Sequence, residues 1–403
     1  MAKEMIPQTI SFRLLGIIFL IIILMQTTTD QYLPSLPEIT QFFKSTEAVI
    51  QLSLTFFMLG LGFSHLFYGP VSDRVGRKPP LMYGIGISII GSLICYASPS
   101  TELLILGRFL QGFGIGACNS VGRSLARDLF TDKVLAKVGS YVGIISLLIM
   151  AASPILGGFI QEQAGWRSNF LFLVLFGLFV WVIAAFALPE TNKQLNPQAT
   201  HLRVMWKNYI QLLSNGVFLG YTLSACFAFA GLVAYFTIAP FLFQDIQGLS
   251  PLQFGRLSLF IAGAICLSGV INSVLVMHKG IAFMTRLGAS LMIVGGLWLL
   301  VDATFHWDQV FGVMIPMSLF SMGAGFTFIN AFAGAFHPFP EIAGTVGALY
   351  ACMQDLSASI MSGFIAGIKA YGSLSLAIIL LLLGLGSLKA CYHANENNRM
   401  LKG

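Results

Sequence analysis

Three ionisable residues fall where a chain this apolar should carry none. Asp30, Arg108 and Asp355 each lie within a long apolar run, and about 20 such residues cross the hydrocarbon of a bilayer as a helix. A charge at that depth is expensive, and by default it marks a substrate or proton pathway. Asp30 follows Gln26 by one helical turn on the same face, and Thr27, Thr28 and Thr29 make the strip polar. Burial disfavours the charged carboxylate, which suits a proton carrier. The competing reading places Asp30 at the outer interface, capping or orienting a helix that ends near Pro34 and Pro37. Arg108 must face a cavity or a partner. It can act on a carboxylate, relay a proton with Gln111 or hold an anionic substrate; the plain alternative is a structural arginine on backbone carbonyls. Asp355 lies near the middle of its run beside Gln354. It is a second protonation site, a contact for a cationic substrate group, or a buried acid bonded to a neighbouring helix.

The elements that must position these residues are membrane helices. Of 403 residues, 56% are apolar and only 9% charged, and the mean hydropathy is +0.83; a soluble domain carries about 25% charged residues. Twelve candidate spans are expected at roughly 12–33, 48–69, 80–97, 102–123, 138–160, 168–188, 209–242, 252–276, 283–301, 308–330, 344–366 and 372–392. The first is read as an uncleaved helix, since no small-residue cleavage pattern follows it. The seventh is too long for one straight span, so it tilts, breaks near Pro240 or begins with an interfacial turn. The longest polar stretch separates spans six and seven. It divides the chain into an N-terminal six-helix bundle (1–188), a cytoplasmic linker (189–208) and a C-terminal six-helix bundle (209–403), the two-half plan of many secondary transporters.

Charge orients the spans. The turn from Gly69 to Pro79 packs four charges into eleven residues. With the N-terminus inside, 17 of the 22 basic residues fall on the side of that turn and four, Lys44, Arg167, Arg256 and Lys369, on the other, with Arg108 inside a span. The bias makes both termini cytoplasmic. The net charge of +6 lies in short loops rather than on one stripe, so no nucleic-acid partner is expected. The six cysteines form no CxxC and read as apolar packing residues. No Walker-type GxxxxGK[ST] occurs, so the chain has no ATPase of its own. Gly112-Phe113-Gly114-Ile115-Gly116 lies within a span and reads as a close-packing stripe rather than a nucleotide loop. No cofactor, metal or enzymatic activity is expected.

Ordered motifs carry a resemblance. Gly69-x-x-x-Asp73-Arg74-x-Gly76-Arg77-Lys78 resembles the loop signature of the major facilitator superfamily, and Arg108-x-x-Gln111-Gly112 its second motif. Ser153-Pro154-x-x-Gly157-Gly158 resembles the antiporter motif of its twelve-span drug exporters. Asp30-Gln31-Tyr32-Leu33-Pro34-Ser35-Leu36-Pro37, with Gly165-Trp166-Arg167 and Leu188-Pro189-Glu190-Thr191, is similar to bicyclomycin- and chloramphenicol-resistance (Bcr/CflA) drug–proton antiporters. The second half matches mainly in span count, with a weak echo of the charged turn at Met277-His278-Lys279-Gly280. An acid at Asp355 departs from the subfamily pattern.

The resemblance implies an all-α polytopic protein of the bacterial inner membrane with the major facilitator fold. It implies a proton-coupled exporter of drugs or other small amphipathic molecules, working as a monomer by alternating access. Protons and membrane lipid would be its other partners. Asp30, Arg108 and Asp355 become the candidate proton-coupling residues. Gln26, Gln111, Tyr221, Phe227, Tyr235, Asn272, Asn330 and Gln354 are candidate cavity residues, though most aromatics pack in cores. Gly69, Asp73, Arg74, Gly76 and Arg77 form a candidate conformational latch, with Asp73 expected to meet Arg123, Arg127 or the start of span eleven when that side is closed. Pro154, Gly157 and Gly158 form a candidate hinge. The alternative is a dedicated transporter of one metabolite or siderophore, motivated by Asp355, Asn272 and Asn330.

Overall fold

A computed structural model of the protein describes residues 12–130, 132–192, 195–197, 199–305, 310–368 and 372–400. Lys3, Lys193, Lys369 and Lys402, counted in the charge partition, lie outside them. The described residues fold into helices α1 (Phe12–Asp30), α2 (Leu36–Phe42), α3 (Glu47–Val75), α4 (Lys78–Ala97), α5 (Thr101–Leu129), α6 (Asp132–Ala164), α7 (Trp166–Ala187), α8 (Leu202–Leu213), α9 (Gly216–Phe241), α10 (Pro251–Lys279), α11 (Ile281–Phe305), α12 (Phe311–Phe336), α13 (Ala343–Ile368) and α14 (Ser373–Met400), with no strand among them. All but α2 and α8 have membrane-crossing length, and eleven spans are also apolar enough to cross a bilayer. The remaining long helix is α5. It carries Glu102, Arg108, Arg123, Arg127 and Asp128, and it is enclosed by α1, α3 and α4. Twelve crossings in two six-helix halves result: α1 and α3 to α7 form one, and α9 to α14 the other. The halves meet chiefly along α3–α13 and α6–α10.

Local chemistry places the breaks. Thr46 and Ser100 accept hydrogen bonds from the backbone N–H groups of Val49 and Leu103, starting α3 and α5. Ser250 and Gln253 close a capping box ahead of Pro251 at α10. The echo between the halves is present in the backbone: Gly76 (φ 100°) ends α3 and Gly280 (φ 78°) ends α10. Glycine takes this left-handed region without Cβ strain.

Two expectations gain detail. Of the readings left open for the seventh run, a turn at its start is what the structure shows, while Pro240 sits in the last turn of α9, one residue before the α-helix ends. The run breaks at Ser214–Asn215, where Asn215 Oδ1 accepts from the N–H groups of Val217 and Phe218 and starts a new helix. The preceding α8 begins inside the polar stretch read as a linker and is amphipathic, exposing Trp206, Ile210 and Leu213. The first span ends at Asp30, ahead of Pro34 and Pro37 as expected. The two prolines stand in the first turns of a 3₁₀ segment (Leu33–Ser35) and of α2, where a missing N–H costs nothing.

Candidate functional site

Asp30 is the last residue of α1 and is 5% exposed. Gln26 Nε2 donates to its Oδ2 at 2.6 Å, as the one-turn spacing predicts. Arg108 is fully buried on α5, and its guanidinium lies between the rings of Tyr32 (3.8 Å) and Phe57 (4.0 Å). Stacking of this kind suits the planar, weakly hydrated guanidinium. Its Nη1 donates to Gln111 Oε1 and to the carbonyl of Thr28, while Nε and Nη2 meet no acceptor. Gln111 Nε2 donates onward to Ser92 Oγ at 2.7 Å. Asp30 and Arg108 therefore share one polar pocket around the end of α1 without forming an ion pair with each other.

The same pocket is built against α6. Ser153 Oγ donates to Thr27 Oγ1 at 3.5 Å. A Cβ at Gly157 would collide with the carbonyl oxygen of Gln31. One residue later the seam between the halves begins: a Cβ at Gly158 would strike the Pro251 carbonyl, and one at Gly255 the Pro154 carbonyl. Ser258 Oγ donates to the Ala151 carbonyl at 2.7 Å, and Leu252 N–H to Glu162 Oε1 at 3.0 Å. Pro154, Gly157 and Gly158 thus join α1 to α10 of the other half through α6. Around them Gln31 donates to Asn169, and Asn169 to Ser35. Gln244 Nε2 of the second half donates to the Pro34 carbonyl at 3.0 Å. These polar contacts tie the halves together at the end remote from the charged turn.

At the charged end the halves enclose a cavity of about 530 Å³. Its wall includes His65, Asp73, Ser120, Arg123 and Arg127 from the first half and Phe332, Phe336, Glu341 and Thr345 from the second. Asp355 sits just inside, 7% exposed, with its Oδ2 2.8 Å from His65 Nε2. The polar neighbour expected for Asp355 is therefore a histidine of the opposite half. Sequence reading passed over His65, although a lone ionisable residue in an apolar run is itself a signal.

None of Gln26, Gln111, Tyr221, Phe227, Tyr235, Asn272, Asn330 and Gln354 lines that cavity. Asn330 Nδ2 donates to Asn272 Oδ1 at 2.7 Å, linking α12 to α10, and also to the Phe326 carbonyl. The Tyr221 hydroxyl donates to Asn395, and that of Tyr235 to Met314. Phe227 packs over Gly386. Gln354 lies half-buried on α13 beside Asp355. For Tyr221, Phe227 and Tyr235 the reason is the burial of α9: it is surrounded, so no polar stripe marked a cavity face.

The charged turn is bonded to its own half and to the stretch that follows α7. Asp73 pairs with Arg77, not with Arg123, Arg127 or α13, and Arg77 Nε also donates to Asp128 Oδ2 at 2.8 Å. Arg74 Nη1 donates to Thr200 Oγ1 at 2.8 Å, and Gly69 lies against Ala348 of α13. Glu190, unassigned from sequence, organises the turn. Its Oε1 accepts from the N–H groups of Arg77, Thr191 and Asn192, and its Oε2 from Lys78. A Cβ at Gly76 would collide with that carboxylate. Burial raises the carboxyl's pKa, but these four backbone donors outweigh it and hold the value below the usual carboxylate range.

Comparison with known proteins gives a consistent picture. A family model described as Major Facilitator Superfamily matches residues 15–362. A bicyclomycin resistance protein homolog of Haemophilus influenzae is 30% identical over 346 residues, covering 84% of this chain and 85% of that protein. Multidrug resistance protein D of Escherichia coli is 28% identical over 374 residues, covering 92% and 93%. The crystal structure of a D-xylose–proton symporter superposes with a TM-score of 0.77 over 94% of this chain and 97% of that one. At 15% identity the likeness extends to the fold alone.

Proposed function

The chain belongs to the Major Facilitator Superfamily, and from that premise we propose that it exports drugs or other small amphipathic molecules in exchange for protons. It is a multi-pass membrane transporter rather than an enzyme. The names of its bicyclomycin- and multidrug-resistance relatives support the substrate class. The observation that carries proton coupling is Asp30, a buried carboxyl held by Gln26 where α1 meets the glycine-lined seam of α6 and α10. A proton arriving there neutralises a charge that burial disfavours. It does so at the joint where opening the remote end must separate the halves. In this reading Asp30 loads a proton from outside as substrate leaves, and gives it up when the cavity faces inward. Arg108, stacked and only partly hydrogen-bonded, is the cation that favours the departing carboxylate. Asp355 serves as a further proton-coupling acid. The charged turn of Gly69, Asp73, Arg74, Gly76 and Arg77 is the latch that closes the cavity end against the start of α13.

The positive-inside bias supports a bacterial inner-membrane location with both termini cytoplasmic, which makes the charged end the cytoplasmic one. Anionic lipid at that surface is a further partner of the basic turn. The protein acts as a monomer. The reading as a dedicated metabolite or siderophore transporter rests on the charged cavity wall of Arg123, Arg127 and Glu341. Asn272 and Asn330, which also motivate it, bond to each other and do not line that cavity. The deciding measurement is flux in proteoliposomes under an imposed pH gradient, across unrelated drugs and single metabolites. Asp30→Asn is expected to abolish proton-driven flux of the transported compounds while folding persists. Unchanged flux with its pH dependence intact overturns the proton-carrier role, and flux confined to one metabolite overturns the drug-export reading.

A further inference from the structure

His65 and Asp355 bridge the two halves in the buried centre of the α3–α13 seam. His65 is 1% exposed, and its Nε2 lies 2.8 Å from Asp355 Oδ2. Its other ring nitrogen, Nδ1, lies 2.9 Å from Ser120 Oγ on α5. Both His65 and Ser120 belong to the wall of the charged-end cavity. Towards the remote end, Gly62 lies against Leu356, and Thr55 Oγ1 donates to Ser362 Oγ at 3.0 Å. The pair is the innermost ionisable contact that the cavity reaches.

We propose that His65 and Asp355 form a second proton-binding site, divided between the two halves and loaded from the charged-end cavity. It rests on the transport reading above and adds to Asp30 a proton site reached from the charged end. The hydrogen-bonding inventory carries it. A neutral imidazole donates from Nε2 to the Asp355 carboxylate and accepts at Nδ1 from the Ser120 hydroxyl. An imidazolium donates from both nitrogens, and Ser120 meets it by turning its hydroxyl so that the oxygen accepts. One proton can therefore enter or leave at Nδ1 by way of Ser120 without moving a heavy atom.

The bridge also has a mechanical consequence. With the proton bound, α3 and α13 are joined by an ion pair out of water; without it they keep one hydrogen bond to a carboxylate. Breaking the charged form leaves two uncompensated buried charges, so the proton favours the conformation in which the two helices touch here. The other groups around the pair are Arg123 on α5, Tyr350 and Cys352 on α13 and Cys226 on α9, all of which act on Asp355 or on one another through space. Tyr209 on α8 neighbours Cys352. Asp73, Arg127 and Glu341 face the same cavity. Arg123 is a cation close enough to act on Asp355 through space.

Nitrogen NMR of the full chain in lipid bilayers, labelled with ¹⁵N-histidine, tests the site without any substrate. Replacing His201, His278, His306, His337 and His393 leaves His65 as the sole signal. The converse variant, His65→Asn, assigns the same signal in the otherwise native chain, should the multiple variant fail to fold. The expected result is conversion of His65 from neutral imidazole to imidazolium between pH 9 and pH 5. In Asp355→Asn the imidazolium fraction at pH 7 should fall at least threefold, and Asp355→Glu should restore it. A His65 that keeps one protonation state across the range, or is indifferent to Asp355→Asn, overturns the proposal. Asp30→Asn should leave this titration unchanged, so failure of the transport reading appears in flux and failure of this site appears in the spectrum.

Discussion

Gly157 lies so close to the carbonyl oxygen of Gln31 that no methyl group fits between α6 and α1. The contact sits one residue beyond Asp30, and the next residue of α6, Gly158, is pressed equally against Pro251 of the other half. A change in how the end of α1 is held is therefore passed straight to the seam between the halves.

The first prediction follows from that fit. Gly157→Ala forces the backbones of α1 and α6 apart, and overpacking of this kind costs about 1–3 kcal/mol. The melting temperature in detergent should fall and proton-driven flux should be lost. Gly139→Ala, where an added methyl meets nothing, should leave both nearly unchanged.

Arg108→Lys keeps the charge but removes the planar group stacked between Tyr32 and Phe57. Lysine cannot reproduce that sandwich together with the bond to Gln111. Losing one buried charged hydrogen bond costs about 1.5–3 kcal/mol, so flux should drop about tenfold or more. Flux assays beside a thermal melt separate loss of function from loss of fold.

Glu190 sets a pH dependence in the charged turn. Its folded pKa lies below its unfolded value, so its stabilisation is complete above the unfolded pKa of about 4.3 and disappears as pH falls through the folded one. The carboxylate is exposed, so the contribution is about 1 kcal/mol at most. Glu190→Gln should melt below the native protein near neutrality, and the difference should vanish at the acid end of a pH 3–7 series.

The Asn272–Asn330 bond predicts coupling rather than substrate recognition. Either single change to leucine should cost about 0.5–2 kcal/mol of stability. The double change should cost clearly less than the sum of the two. A substrate role would instead lower flux without any shift in melting.

The twelve crossings were legible because each needs a long apolar run, whatever it packs against. Even α5, too charged for apolarity alone to mark as a span, was bracketed by its neighbours. Turn glycines, the Gln26–Asp30 spacing and the proline–glycine pattern of α6 are local, so they too could be read from order alone. What the sequence could not determine was partnership. His65 and Asp355 lie 290 positions apart, and Gly76 and Glu190 lie in different turns; only helix packing brings each pair together. Nor does periodicity reveal a cavity when, as on α9, every face of a helix is apolar and buried. The one-dimensional pattern fixed which residues stay out of water and which end of each helix carries charge. Packing decided which polar groups satisfy one another, because a buried donor or acceptor takes whichever partner the neighbouring helix presents.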